Sequence, residues 1–208
     1  MGLISFLKKM PIDLGQGNIN TNLRTKTYGK VIAESLVPPV KIEEIKKALD
    51  VGCREGFQSE WLEKKGYDVT SIDVEKKFEK CIIMDANKEL IFKDNSFDLI
   101  WCSEVIEHLD NPIKAIEEFK RLLKPEGKFI ITTPNSYFWL YNIAKIFGKT
   151  AKDLQNPGHK QFFSEKNIKN ICQDSKIYGY FPYMIKKFKI KKNINFLSPT
   201  FVVEYYKK

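Results

Sequence analysis

The sequence predicts a doubly wound α/β fold: a mostly parallel sheet of seven strands with helices packed on both faces. Three observations carry this. Short apolar runs alternate with helical stretches between residues 46 and 133, as in a parallel sheet covered on both sides. The first run, Ala48-Leu49-Asp50-Val51, leads into Gly52-Cys53-Arg54-Glu55-Gly56 and then a helix, and glycines in such a turn let a ligand approach the backbone. Acidic residues recur where the runs end, and open α/β sheets bind ligands outside the carboxyl ends of their strands.

Each element has its own warrant. Residues 14–22 are rich in Gly and Asn and read as loop. A helix over 27–36 is stopped by Pro38-Pro39. Strand 1 covers 46–51, and a helix over 57–65 ends at Gly66. Strand 2 covers 68–73 and strand 3 covers 81–85, with a poor short helix between them. Strand 4 covers 97–102. Asn111 then caps a helix with Pro112 in its first turn. Ile113, Ile116, Phe119, Leu122 and Leu123 keep its period until Lys124-Pro125-Glu126-Gly127 breaks it. Strand 5 covers 128–133. Ser164 caps a helix reaching about residue 175, and strand-like stretches at 177–190 and 196–206 complete the count of seven.

Composition narrows the class. A chain of 208 residues with 43% hydrophobic and 29% charged content suits one globular domain. The aromatic run at 137–147 is too short to span a bilayer and contains Asn142 and Lys145. The start, residues 2–9, lacks the charged leader and long apolar run of a secretory signal. The four cysteines, Cys53, Cys81, Cys102 and Cys172, show no C-x-x-C spacing; the first three fall in or beside the apolar strands, and all four read as reduced and structural. The expectation is a cytoplasmic protein without a transmembrane segment. Residues 183–208 hold seven lysines against one acid, Glu204, a net of +6 out of +9. That tail reads either as a lysine-blunted edge strand or as a contact for nucleic acid or anionic lipid.

Placed on this map, Asp50 ends strand 1, Asp73 ends strand 2, Asp85 ends strand 3, and Glu104 follows strand 4. Four carboxylates on one rim suit hydroxyls, amino groups and a cation, and they repel phosphates. The turn also lacks G-x-G-x-x-G, with Arg54 and Phe57 at the second and third places. A pyrophosphate cofactor is therefore disfavoured.

Asp50-Val51-Gly52-Cys53-x-x-Gly56 resembles the first motif of class I S-adenosylmethionine (AdoMet) methyltransferases, D-x-G-x-G-x-G, with Arg54 in place of one glycine. The likeness runs from about residue 49 to 133, including Phe97-Asp98-Leu99-Ile100 and Leu123-Lys124-Pro125-x-Gly127. It implies a Rossmann-like methyltransferase fold. It also implies that Asp50, Gly52 and Gly56 shape the cofactor turn, that Asp73 holds the ribose hydroxyls, and that Asp85 and Ala86 meet the adenine. The backbone after Cys102, at Ser103, would hold the methionine end. On this reading 1–44 is a lead-in, 45–134 the AdoMet-binding half, 135–163 a lid insertion, and 164–208 a C-terminal helix with strands, all one domain.

Glu104-Val105-Ile106-Glu107-His108 sets Glu104, Glu107 and His108 at i, i+3 and i+4 of a helical turn. The other histidine, His159, follows Thr133-Pro134-Asn135 in a Pro-Gly-His loop. This set resembles the metal site of ubiquinone-biosynthesis O-methyltransferases and of enzymes that methylate the 3′-terminal 2′-hydroxyl of small RNAs. The resemblance implies a divalent cation, Mg²⁺ or Mn²⁺, held by Glu104, Glu107, His108 and His159. A bound cation lowers a hydroxyl's pKa and orients it. Without a metal, His108 is the candidate general base. Residues 137–147 are then core, a lid over a lipid-like acceptor, or a membrane-touching patch. The leading expectation is O-methylation of a small or lipid-like acceptor. An RNA 2′-O-methyltransferase and a non-catalytic AdoMet-binding protein are the alternatives.

Overall fold

A computed structural model describes residues 27–181 and 188–208. The expectations for residues 2–9 and 14–22 and the middle of the 177–190 stretch lie outside the described residues. Helix α1 (Tyr28–Ser35) begins at Thr27, whose side chain accepts from the Lys30 amide. Strand β1 (Lys46–Val51), helix α2 (Phe57–Lys64), β2 (Tyr67–Asp73), β3 (Cys81–Ile83) and β4 (Phe97–Ser103) follow. Next come α3 (Pro112–Leu122), β5 (Leu123–Pro134), α4 (Trp139–Ile146), α5 (Ala151–Leu154) and α6 (Glu165–Ile171). The chain ends with β6 (Lys176–Phe181), β7 (Phe188–Ile190), α7 (Ile194–Leu197) and β8 (Thr200–Tyr206).

The described sheet has eight strands, not the expected seven, in the order β3-β2-β1-β4-β5-β8-β6-β7. The stretch expected as one strand at 177–190 holds two antiparallel strands, β6 and β7. The last strand begins at Thr200 rather than 196. Asn193 takes a left-handed conformation (φ 52°) and starts α7, and Pro199 precedes the strand. No helix occupies the segment between β2 and β3.

β1 pairs in parallel with both β2 and β4, so the strand order reverses between β1 and β4. That switch point opens a crevice at the carboxyl ends. Alternation along the strands then divides the core in two. Leu49, Val51, Ile100, Cys102, Phe129 and Ile131 face α3 and α6. Ala48, Leu99, Trp101 and Ile130 face the other way, against Ile32 and Ala33 of α1 and Leu62 of α2. In α3 the buried face is Pro112, Ala115, Ile116, Phe119 and Leu122, while Ile113, expected on it, is exposed. A step of one residue from Pro112 turns it about 100° away.

Part of the basic tail is absorbed by the fold. The Lys207 ammonium donates to the Lys120 and Leu123 carbonyls at 2.8 and 2.7 Å, closing the end of α3. Lys189 and Lys191 stand over the Tyr178 ring. Lys128 donates to the Leu36 carbonyl at the end of α1 and lies 3.4 Å from Glu204. Tyr178 donates to the other Glu204 oxygen at 3.0 Å and Tyr206 to the first at 3.0 Å, so this buried acid is shared by three donors.

Candidate cofactor cavity and metal cluster

A cavity of about 680 Å³ opens at the carboxyl ends of β1, β2 and β4. Its walls include Asp50, Gly52, Asp73, Asp85, Ala86 and Ser103. The volume lies within the ordinary range for small-molecule sites, roughly 300–1,000 Å³.

The turn after β1 is built by its backbone. Gly52 has φ 75°, and a Cβ there would stand 2.4 Å from the Val105 Cγ2. Gly56 has φ 82° and caps α2, and a Cβ there would stand 2.3 Å from the Phe78 ring. Arg54, where the motif has glycine, also takes the left-handed region, at φ 48°. The turn has the shape glycine would give it, at a cost of about 1–2 kcal/mol for a residue with a Cβ. The Arg54 amide donates to Asp73 Oδ2 at 2.9 Å, and the Glu75 amide to Oδ1 at 3.1 Å. These bonds hold the Asp73 carboxylate at the cavity wall.

Asp50 behaves unlike the other acids. It shares the strand face of Ala48, under α1 and α2, and is 1% exposed. Ser59 of α2 donates to it at 2.6 Å, and Ser71, its register partner on β2, donates to Ser59 at 2.7 Å. Burial pushes the Asp50 carboxyl up to about 6, with the Ser59 bond and Lys30 pulling the other way. Lys30 of α1 also lines the cavity. Burial lowers its pKa, and Glu34 and Asp50 oppose that shift. No local pattern marks Lys30, a lysine on a lead-in helix whose register over the sheet is a tertiary matter. Asp85 accepts from the amide and side chain of Asn87, and these bonds hold its carboxyl below the usual range. Ser103 bonds with Thr132 at 2.8 Å, and the Thr132 hydroxyl donates to Glu104 at 3.1 Å.

The acids and histidines beyond β4 do not form the expected helical turn. A short 3₁₀ turn spans Ile106–His108, and Glu104 lies outside it at φ 57°. Among the described residues, Glu107, His108 and His159 each offer a ligand atom, all within 4.8 Å of one another. Glu104 is not in that group. Its backbone amide continues the sheet by donating to Thr132, and its side chain follows toward β5.

His159 arrives from 51 residues away because its loop is stitched to that turn. The Lys160 and Gln161 amides both donate to the Glu107 carbonyl, at 2.8 and 2.9 Å. The Asn156 side chain accepts from the Gly158 amide at 2.9 Å and tightens the bend. The two imidazole rings meet edge to face at 4.8 Å. His108 Nδ1 lies 2.9 Å from the Gly158 carbonyl. A carbonyl only accepts, so Nδ1 carries the proton and the neutral ring's lone pair is on Nε2. Thr133 donates to Glu107 Oε2 at 3.0 Å. Two imidazoles and one carboxylate on oriented side chains, Glu107 and His159 buried and His108 partly open to the cavity, make a donor set suited to a transition-metal dication.

The comparisons with known proteins agree with this architecture. Residues 24–175 match a family model described as a methyltransferase domain. The chain is 31% identical over 180 residues to a ubiquinone biosynthesis O-methyltransferase of Actinobacillus pleuropneumoniae, covering 72% of this chain and 76% of that one. It is 33% identical over 138 residues to one from Coxiella burnetii, covering 55% of this chain and 59% of that protein. A crystal structure of a SAM-dependent methyltransferase from Archaeoglobus fulgidus superposes with a TM-score of 0.62 at 17% identity, over 86% of this chain and 94% of that chain.

Proposed function

We propose that this chain, which belongs to the AdoMet-dependent methyltransferases, methylates an oxygen of a small or lipid-like acceptor. The observation that carries this reading is the convergence of Glu107, His108 and His159 within 4.8 Å, with His108 on the cavity wall. The names of the relatives add support for oxygen as the acceptor.

The residues present fit the cofactor. Asp73 would take the ribose hydroxyls, and Asp85 with Ala86 the adenine. Gly52 and Gly56 give the turn its close approach, the Ser103 backbone would hold the methionine end, and Asp50 with Lys30 would fix charge beneath it. AdoMet, when bound, supplies an electrophilic methyl group on a sulfonium. Catalysis by the chain is then largely alignment of the acceptor. Glu107, His108 and His159 would hold a divalent cation that polarises the acceptor oxygen. Imidazole-rich donors suit Mn²⁺ better than Mg²⁺, and Glu104 would join only through the acceptor or water. In the metal-free state His108 Nε2 would receive the acceptor proton.

The segment 135–163 serves as the lid on this reading. Helix α4 buries Leu140, Tyr141 and Ala144 and exposes Ile143 and Ile146, with exposed Tyr137 and Phe147 beside it. These apolar side chains support a lipid-like acceptor and a peripheral membrane contact. Among the described residues no helix is long and apolar enough to cross a membrane. Four buried cysteine thiols support a cytoplasmic setting.

The test is transfer of labelled methyl from AdoMet to a panel of catechols, polyprenyl phenols and short 3′-hydroxyl RNAs, after chelation and with Mn²⁺ restored. Metal-dependent methylation of a phenolic oxygen is expected. Transfer to RNA alone would assign the other acceptor, and AdoMet binding without any transfer would favour the non-catalytic alternative.

A further inference from the structure

We propose that Gln155 is a positioning residue for the cluster: its side-chain oxygen holds His159 as the Nδ1–H tautomer, with Nε2 turned toward Glu107. The proposal rests on the metal reading above for its consequence, while its structural core stands on contacts within the chain.

Gln155 follows α5 and is 5% exposed. Its amide donates to the Ala151 carbonyl at 2.8 Å, so the residue is fixed at the end of that helical turn. Its Oε1 accepts from the Ser136 hydroxyl at 3.2 Å and lies 3.4 Å from His159 Nδ1. The Tyr141 hydroxyl of the lid packs on the same side chain. Burial pushes that phenol up to about 12, and the Gln155 amide draws it partly back. One side chain therefore ties the end of β5, the lid helix and the histidine loop together.

The chemistry of this arrangement is specific. An amide oxygen only accepts, so a ring nitrogen facing it carries the proton. His159 Nε2 then holds the lone pair, 3.9 Å from Glu107 Oε1. His108 is set the same way by the Gly158 carbonyl. Both imidazoles thus keep the lone pair on Nε2, each through an oxygen supplied by residues 155–158. Acceptors behind ligating histidines typically contribute about 10–100-fold in metal affinity. Nothing local marks Gln155, since a glutamine beside an Asn-Pro-Gly bend looks like any surface loop residue.

The chain has only two histidines, which makes the tautomers directly readable. Long-range ¹⁵N–¹H correlation spectra on the full chain, without metal, should show His159 as Nδ1–H in wild type. In Gln155→Leu that form should give way to Nε2–H, and Gln155→Glu should restore it. Mn²⁺ binding, read by the free-ion electron paramagnetic resonance signal, should weaken at least tenfold in Gln155→Leu and recover in Gln155→Glu. AdoMet affinity, measured alongside, should stay within twofold and reports that the variants are folded. Wild-type His159 in the Nε2–H form would overturn the proposal, as would Mn²⁺ binding to Gln155→Leu at wild-type strength. A wild type that shows the Nδ1–H form but no Mn²⁺ binding would overturn the metal reading and leave Gln155 as the tautomer-setting residue.

Discussion

Asp50→Asn should stabilise the ligand-free protein at pH 8 and leave it little changed near pH 4. The Asp50 carboxyl is raised from 3.8 to about 6, chiefly by burial. Because the folded-state pKa lies above the unfolded one, its contribution to stability is fully present below about 3.8 and is lost as pH rises through about 6. Two units correspond to about 3 kcal/mol at neutral pH and above. Asparagine keeps an oxygen for the Ser59 hydroxyl, which donates at 2.6 Å, and has no charge to bury. For a chain of this size about 3 kcal/mol corresponds to roughly 5–10 °C in midpoint. Thermal melts of both proteins from pH 4 to pH 8 should diverge mainly between about pH 4 and 6, from the unfolded to the folded carboxyl value, and run parallel above that. Curves parallel over the whole range would refute the reasoning. A variant less stable than wild type at pH 8 would mean that attraction to Lys30 outweighs burial, reversing the sign.

Three more changes probe the turn and the rim. Gly52→Ala places a Cβ 2.4 Å from Val105 at φ 75°, so it should cost about 2 kcal/mol or more in urea unfolding and weaken AdoMet binding; an unchanged midpoint would show that Val105 gives way freely. Asp73→Ala removes the proposed ribose acceptor and should lower AdoMet affinity at least tenfold by calorimetry, in line with about 1–3 kcal/mol for unpaired buried groups; unchanged binding would remove Asp73 from the site. Arg54→Gly relieves a left-handed residue (φ 48°) but frees the unfolded chain, so stability should shift by no more than about 1 kcal/mol and AdoMet affinity by a few-fold. A large gain in affinity would show that the arginine obstructs the cavity.

What the sequence by itself determined is what neighbours along the chain decide. The Gly52–Gly56 turn, the Asn111 cap with Pro112, and the strands ending in Asp50 and Asp73 depend on backbone freedom and period, and those are written within a few residues. The pairing of His108 with His159 was also legible, because the chain holds only two histidines and the motif around them is specific. Tertiary structure alone decided which side each group faces and what covers it. Asp50 ends a strand as expected, yet alternation turns it beneath α2 onto Ser59, where burial dominates its charge. Glu104 has helical spacing to His108, yet the sheet carries its backbone on to Thr132 and leaves it outside the cluster. Lys30 and Gln155 reach the site only because α1 lies over β1 and because the loop after α5 is stitched to the Glu107 carbonyl. Hydrogen bonds spanning some fifty residues leave no local pattern, so the donors and acceptors that orient the cluster become visible only once the chain has closed on itself.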